Sequence, residues 1–189
     1  DGISVNGQAA EYNLVSENTF VNFLGKYRSW GGQYLFSRAI DVQDMTTGNN
    51  VVAFNAARDV INHVWLDRDG SYNVMLRNLT NDSGGAIFNE SRCANNVVQE
   101  NIGDNCTSGI MSAEYETTGD TFDPRYIGNV MINCGRGIHI NKSHRDEVRN
   151  NIVYNNDTNL YFTSLAAGQG PHIFRNNLWF SDGNANSIN

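Results

Sequence analysis

Lysine is nearly absent from this 189-residue chain, which contains only Lys26 and Lys142. Charged residues of all kinds make up 17% of the sequence, and the formal net charge is −7. Recognition of a nucleic-acid backbone normally requires clustered basic side chains on one surface. The composition therefore predicts that nucleic acid is not a partner.

Long apolar runs are also missing. No apolar stretch reaches the roughly 18 residues that a membrane-spanning helix requires. The three cysteines are too few, and odd in number, to form a framework of disulfides. We therefore expect no membrane span, and the cysteine content alone does not indicate a compartment.

A short phrase recurs seven times instead: two apolar residues, two variable positions and an Asn. The spacings between successive Asn residues are 37, 23, 23, 28, 22 and 26. A period in the low twenties that tolerates insertions is typical of a solenoid. Stacked coils place equivalent residues about 4.8 Å apart, so side-chain amides can hydrogen-bond from coil to coil. The recurring residues are Asn18, Asn55, Asn78, Asn101, Asn129, Asn151 and Asn177.

Each recurring Asn is followed by a second polar column and then by a strand whose first and third residues should point inward. The second column consists of Asn22, Asp59, Asp82, Asn105, Asn133, Asn155 and Ser181. The predicted strands are 64–66, 86–88, 110–112, 138–140 and 160–162. Their outward residues would be Trp65, Ile87, Met111, His139 and Tyr161. Cys106 and Cys134 follow equivalent Asn residues, so we expect them to stack on neighbouring coils as buried thiols.

The phrases Asn-Asn-Val-Val-Gln-Glu-Asn (95–101) and Arg-Asn-Asn-Ile-Val-Tyr-Asn-Asn (149–156) resemble the repeat of the right-handed parallel β-helix superfamily. Pectate lyases and many secreted carbohydrate-active proteins have this fold. The resemblance covers roughly residues 10–182. It implies an all-β, right-handed, single-stranded parallel β-helix of about seven coils, forming one domain over residues 1–189, in a secreted or cell-surface protein.

The repeat runs close to both ends of the sequence, and neither end contains an amphipathic capping helix. A bare terminal coil is an open edge that pairs with other chains. We therefore expect a piece of a longer solenoid, a unit that stacks end to end, or a non-helical cap. A structural filament, adhesin or spike segment is accordingly the alternative to a carbohydrate-active function.

The outward residues of the predicted strands would form a surface stripe with an aromatic residue at each end and polar groups between. Sugar rings stack on aromatic side chains while their hydroxyls take hydrogen bonds, so the stripe predicts a polysaccharide groove. Insertions at 27–34, 114–124 and 166–170 would form loops that wall it. The predicted substrate-binding residues are Trp65, Asn89, Arg136, Asn141 and Tyr161, and the predicted catalytic residues are Asp67, Glu90, Glu114, His139 and Lys142.

Two cleavage mechanisms are compatible with this stripe. A lyase would use Lys142 and His139 as base and acid, and Glu114 with Glu116 would supply oxygen ligands of the kind that Ca²⁺ prefers. A hydrolase would instead place two carboxylates on either side of the bond, with Asp67 facing Glu90 or Glu114. No cofactor is required by the sequence, and Ca²⁺ is the candidate metal. Binding without cleavage is the third alternative.

Overall fold

The structure is a computed structural model that describes residues 2–7, 10–22, 28–30, 33–35, 38–43, 48–67, 69–90, 92–113, 121–163, 170–180 and 186–188. These ranges consist of short strands joined by turns. They contain no helix of the length and apolarity that a membrane crossing would need.

Three parallel sheets run along the molecule, and each coil contributes one strand to each sheet. Sheet A contains Ile3–Asn6, Arg38–Gln43, Asn62–Asp67, Gly85–Glu90, Ser108–Ala113, Arg136–Asn141, Thr158–Thr163 and Asn186–Ile188. Sheet B contains Leu14–Ser16, Val51–Ala53, Val74–Leu76, Val97–Gln99, Arg125–Ile127, Glu147–Arg149 and Ile173–Arg175. Sheet C contains Thr19–Val21, Ala56–Arg58, Leu79–Asn81, Ile102–Asp104, Val130–Ile132, Ile152–Tyr154 and Leu178–Phe180. The predicted parallel β-helix of about seven coils is therefore confirmed.

Two further sheets of two strands each are separate from these three. Thr121–Phe122 pairs in parallel with Ser143–His144. Arg28–Trp30 pairs antiparallel with Gln33–Leu35, within the first predicted insertion. The remainder of that insertion, most of the second and most of the third lie outside the described residues.

The recurring Asn lies at the corner between sheets B and C, and its side chain points into the solenoid. Oδ1 of Asn101 accepts both the backbone N–H and the Nδ2–H of Asn78, each at 2.9 Å. Nδ2 of Asn101 in turn donates to Oδ1 of Asn129 at 3.0 Å. The same pattern continues from Asn18 to Asn177. The predicted Asn ladder is therefore confirmed.

A second ladder, which was not predicted, lies at the corner between sheets A and B. Asn13 Nδ2 donates to Asn50 Oδ1 at 2.9 Å, and Asn50 Nδ2 donates to Asn73 Oδ1 at 3.0 Å. The backbone N–H of Asn73 then donates to Asn96 Oδ1 at 2.8 Å. The sequence signal was an Asn directly before successive strands of sheet B, as at Asn50, Asn73 and Asn96.

Strand Gly85–Glu90 corrects one predicted register. Ile87 pairs with Val64 and belongs to the interior, whereas Phe88 pairs with Trp65 on the outer face. The prediction of an outward Ile87 and an inward Phe88 is therefore wrong by one residue. The 23-residue spacing from Asn55 to Asn78 places Ile87, and not Ala86, in register with Val64, so the predicted strand began one residue too early.

Gly137 fills a tight corner where the chain enters sheet A. A Cβ there would lie 2.3 Å from Val153 Cγ1 and 2.7 Å from the Asn159 carbonyl oxygen. We expect Gly137→Ala to lower the free energy of unfolding by about 1–3 kcal/mol, because an added methyl overpacks a filled interior. Denaturant unfolding followed by circular dichroism measures this change.

Gly128→Asn is the matched control for that substitution. Gly128 has φ +64°, and a Cβ there would meet only Glu100 Cγ at 3.6 Å. Because Asn tolerates left-handed backbone, we expect a change within about 0.5 kcal/mol. Equal losses in the two variants would show that close packing at Gly137 is not the cause.

Candidate functional site

One column of side chains on the outer face of sheet A forms a continuous stack. This outer stack consists of Trp65, Phe88, Met111, His139 and Tyr161. The rings of Trp65 and Phe88 are parallel, with centroids 4.5 Å apart. Met111 Sδ lies 3.0 Å from His139 Nδ1, and the rings of His139 and Tyr161 are 4.9 Å apart. Each member therefore contacts the next along the solenoid.

The outer stack points outward as predicted at Trp65, Met111, His139 and Tyr161, but most of it is covered. Trp65 is 4% exposed, Met111 2% and His139 6%, whereas Tyr161 is partly exposed. The prediction of an open aromatic stripe that starts at Trp65 is therefore wrong. Strand alternation identifies the face on which a side chain lies, and it carries no information about what packs over that face.

An arginine lies against each end of the outer stack. The guanidinium of Arg38 is 4.3 Å from the Trp65 ring centroid, and that of Arg136 is 4.7 Å from the Tyr161 ring centroid. Cations over aromatic faces contribute about 0.5–1 kcal/mol at exposed sites. Arg136 was predicted to bind substrate, and here it also packs on Tyr161.

His139 is the best-defined member of the predicted catalytic set. Its Nε2 lies 2.7 Å from Thr163 Oγ1. Desolvation by burial, and then the charge of Arg136, lowers the pKa of His139 to about 4. The imidazole is therefore neutral at neutral pH, and its lowered pKa makes it a weaker base than an exposed histidine.

Two other predicted site residues, Asn89 and Glu90, lie next to each other on strand Gly85–Glu90, and both are buried. Asn89 is fully buried, and its Oδ1 accepts a hydrogen bond from Asn96 Nδ2 at 2.9 Å. Its predicted outward placement is therefore wrong, because the one-residue register shift turns it inward. Glu90, at the end of the same strand, is 5% exposed.

Asp67 and Asn141 end strands of sheet A, and Lys142 directly follows Asn141. Asn141 and Lys142 are partly exposed. Asp67 ends its strand, but its side chain lies outside the described part, as do Glu114 and Glu116. Among the described residues, no cluster of three or more His, Cys, Asp or Glu could hold a metal ion. The Ca²⁺ site and the catalytic roles stay predictions.

An open trough of about 700 Å³ lies on a different surface, along the corner between sheets C and A. Each coil contributes polar groups to its wall, and two thiols line its inner side. The polar wall is formed by Asp82, Asn105, Thr107, Asn133, Asn155 and Asp157. Asp82, Asn105, Asn133 and Asn155 belong to the second polar column of the sequence, for which no function was predicted.

The backbone conformation at the rim of the trough explains why Asn and Asp occupy it. Asp82, Asn105, Asn133 and Asn155 have φ between 48° and 53°, a left-handed conformation that Asn and Asp adopt more readily than other residues with a side chain. Asn105 Nδ2 donates to Asp82 Oδ1 at 2.7 Å, and Asn155 Nδ2 donates to Asn133 Oδ1 at 2.8 Å. These contacts hold the rim side chains in rows.

An exposed aromatic pair lies at the ends of two sheet C strands, next to the trough residue Asn155. Tyr154 directly precedes Asn155 and is 36% exposed, and Phe180 is 54% exposed. Their rings stack with centroids 5.5 Å apart and planes 7° from parallel. The pair therefore presents apolar surface beside a row of hydrogen-bonding groups.

Cys106 and Cys134 line the trough at equivalent positions of neighbouring coils, as predicted. Both are free thiols and almost fully buried. The hydrogen bond between them, and then desolvation, raises the pKa of the Cys106 thiol. The same hydrogen bond lowers the pKa of the Cys134 thiol. Each Sγ also contacts a backbone carbonyl oxygen, Cys106 that of Asp104 at 3.5 Å and Cys134 that of Ile132 at 3.2 Å.

Three parallel sheets, inward Asn ladders and an open polar corner together define a parallel β-helix protein. The chain belongs to the NosD family: the family model described as "Periplasmic copper-binding protein (NosD)" matches residues 32–187. This is a right-handed β-helix family whose members are periplasmic, so the predicted handedness and the predicted secreted or cell-surface location are confirmed. Searches of curated proteins and of solved structures gave no match. A closer relation to pectate lyases stays a prediction.

Proposed function

We propose that the protein binds a polysaccharide along the trough between sheets C and A. The observation that carries this proposal is the juxtaposition of the polar wall with the exposed Tyr154–Phe180 pair. The same combination of aromatic and polar side chains was predicted from the sequence for the outer face of sheet A, and here it lies at a different corner of the solenoid.

The chemistry of the trough suits sugar rings. The hydroxyl of Thr107, the carboxylate of Asp157 and the amide of Asn105 offer donors and acceptors to sugar hydroxyls. Tyr154 and Phe180 offer flat apolar surface on which sugar C–H groups stack. Because coils repeat about every 4.8 Å, similar groups recur along the trough, as binding of a polymer requires.

Charge supports a neutral polysaccharide. Asp82 and Asp157 line the trough, and none of the described lining residues is Lys or Arg. A polyuronate would meet repulsion there, since like charges in one groove disfavour binding. We therefore propose binding of a neutral glycan without cleavage. The lyase and hydrolase assignments, which belong to the outer stack, and the filament alternative stay predictions.

Tyr154→Ala tests this function. We expect it to weaken binding of a neutral polysaccharide about five-fold, because an aromatic contact contributes roughly 1 kcal/mol. Adding Thr107→Val should weaken binding further by removing a hydroxyl without changing the shape of the side chain. Affinity electrophoresis through gels that contain a panel of neutral and acidic polysaccharides measures the effect.

Tyr72→Asn is the matched control. Tyr72 is 57% exposed at the corner between sheets A and B and has φ 58°, which Asn adopts readily. This variant removes an exposed aromatic ring away from the trough, so retardation should be unchanged. The proposal would be overturned if no neutral polysaccharide retarded the wild-type chain, or if both variants lost retardation equally.

A second candidate function is copper binding, which the family description names. Cu(I) prefers thiolate, thioether and imidazole ligands, and the described residues contain two adjacent pairs of such donors. One pair is Cys106 with Cys134, and the other is Met111 with His139. Either donor set fits the ion, and copper supplies one-electron redox chemistry when bound. Anaerobic dialysis against a Cu(I) chelate, followed by metal analysis, should give one equivalent, and the absence of copper would remove this candidate.

A further inference from the structure

We propose that Cys106 and Cys134 form a two-coordinate site for a single Cu(I) ion. This inference rests on the second candidate function and deepens it, because it selects one of the two soft-donor pairs and states the coordination of the ion.

The two thiols occupy the same environment one coil apart. Cys106 Sγ lies 4.0 Å from the Thr80 carbonyl oxygen, and Cys134 Sγ lies 3.8 Å from that of Gly103. Thr80 and Gly103 are register partners in sheet C. Each Sγ also contacts a carbonyl at the end of its own sheet C strand. The side chains therefore point in the same direction, one above the other.

The spacing of stacked coils suits an ion between these sulfurs. Equivalent residues of neighbouring strands are about 4.8 Å apart. Two metal–thiolate bonds of about 2.3 Å each would span roughly 4.6 Å when they are collinear. A disulfide would instead require the two Cβ atoms to approach to about 3.8 Å. Cysteines on stacked coils therefore match two sulfurs bridged by a metal ion more closely than they match a disulfide.

Access distinguishes the thiols from the other soft-donor pair. Cys106 and Cys134 line the open trough. Met111 and His139 are buried in the outer stack, and His139 Nε2 is already engaged by Thr163. All four side chains are only 2–6% exposed, but the thiols lie against the trough, whereas an ion reaching Met111 and His139 would have to separate stacked side chains.

Ion exchange at the thiols is balanced without an oxidant or reductant. Two S–H bonds break, two S–Cu bonds form, both protons pass to solvent, and copper stays Cu(I). Zn²⁺ favours four ligands in a tetrahedron. Among the described residues, the thiols have no neighbouring group of His, Cys, Asp or Glu that completes such a set. The site should therefore take Cu(I) in preference to Zn²⁺.

The test is an anaerobic titration of the fully reduced chain with Cu(I) supplied from bathocuproine disulfonate. We expect one tightly bound Cu(I) and an X-ray absorption spectrum that shows two sulfur neighbours. Cys106→Ser and Cys134→Ser should each weaken binding by more than about 100-fold, the upper range for loss of a supporting group outside the ligand set. Cys93→Ser is the matched control, since Cys93 is equally buried but does not line the trough.

The outcomes separate this inference from the functions on which it depends. Unchanged Cu(I) affinity in both serine variants, or loss of binding in Met111→Leu, would overturn the thiol site and leave copper binding standing. Failure of the wild-type chain to bind Cu(I) would overturn both. Displacement of Cu(I) by equimolar Zn²⁺, or three or four sulfur neighbours, would overturn the two-coordinate geometry. The absorption spectrum needs no variant, so the geometry is testable even if a serine variant folds poorly.

Discussion

Replacing Asn101 with Ala is expected to lower the free energy of unfolding by about 3–6 kcal/mol, because several buried polar groups would lose their partners at once. The Asn101 side chain accepts the backbone N–H and the Nδ2–H of Asn78 and donates to the Met75 carbonyl and to Asn129 Oδ1. An unpartnered buried group costs about 1–3 kcal/mol. Urea unfolding followed by circular dichroism measures the loss.

Asn133→Gly provides the comparison. Asn133 is an exposed rim residue with φ 53°, and it donates to Asp104 and accepts from Asn155. Glycine adopts this conformation without strain, and water replaces the lost partners, so we expect a loss below about 1 kcal/mol. A loss at Asn101 no larger than that at Asn133 would refute the stabilising role of the ladder.

Acidification from pH 6 to pH 5 is expected to cost about 1 kcal/mol of stability through His63 alone. This imidazole is fully buried against Thr80, and desolvation lowers its pKa to about 3. The unfolded chain has the ordinary value of about 6.5 and therefore binds the extra proton. The stability that His63 contributes is complete above about pH 6.5 and is lost as the pH falls toward 3. His139, with its pKa lowered to about 4, acts in the same direction.

His63→Asn isolates this effect. Asn places a polar atom near the position of the histidine Nδ1, which lies 2.7 Å from Thr80 Oγ1, but it does not titrate. The slope of unfolding free energy against pH should be smaller than in wild type by nearly one proton between pH 6 and pH 5. This comparison holds even when the variant is less stable overall, since only the slopes are compared. Parallel slopes would contradict the assignment to His63.

The solenoid was predictable because its strongest signal is a required contact. A buried amide must find a partner, so Asn recurs wherever a coil turns from sheet B to sheet C. Prediction failed at Ala86, because the predicted strand began one residue earlier than the 23-residue spacing from Asn55 to Asn78 requires. That shift placed Asn89 on the wrong side of sheet A.

The site was harder to predict than the fold. Alternation placed Trp65 and Met111 on the outer face, but their burial depends on packing across that face, which no local pattern records. The trough illustrates the opposite difficulty. Asn105 and Asn133 recur at its rim because left-handed backbone favours Asn. Their recurrence in the sequence therefore indicated a backbone requirement and not the proposed ligand-binding surface.

The Asn ladder also has an electrical direction. From Asn55 to Asn151, each Oδ1 accepts from the preceding coil and one Nδ2–H donates to the Asn of the following coil, while Nδ2 also donates to a carbonyl of the preceding coil. The amide dipoles therefore align head to tail, as peptide dipoles do in an α-helix, and each bond polarises the next. Partial positive charge accumulates toward the Asn177 side and partial negative charge toward the Asn55 side. A solenoid built of β-strands thus acquires an axial dipole from its side chains.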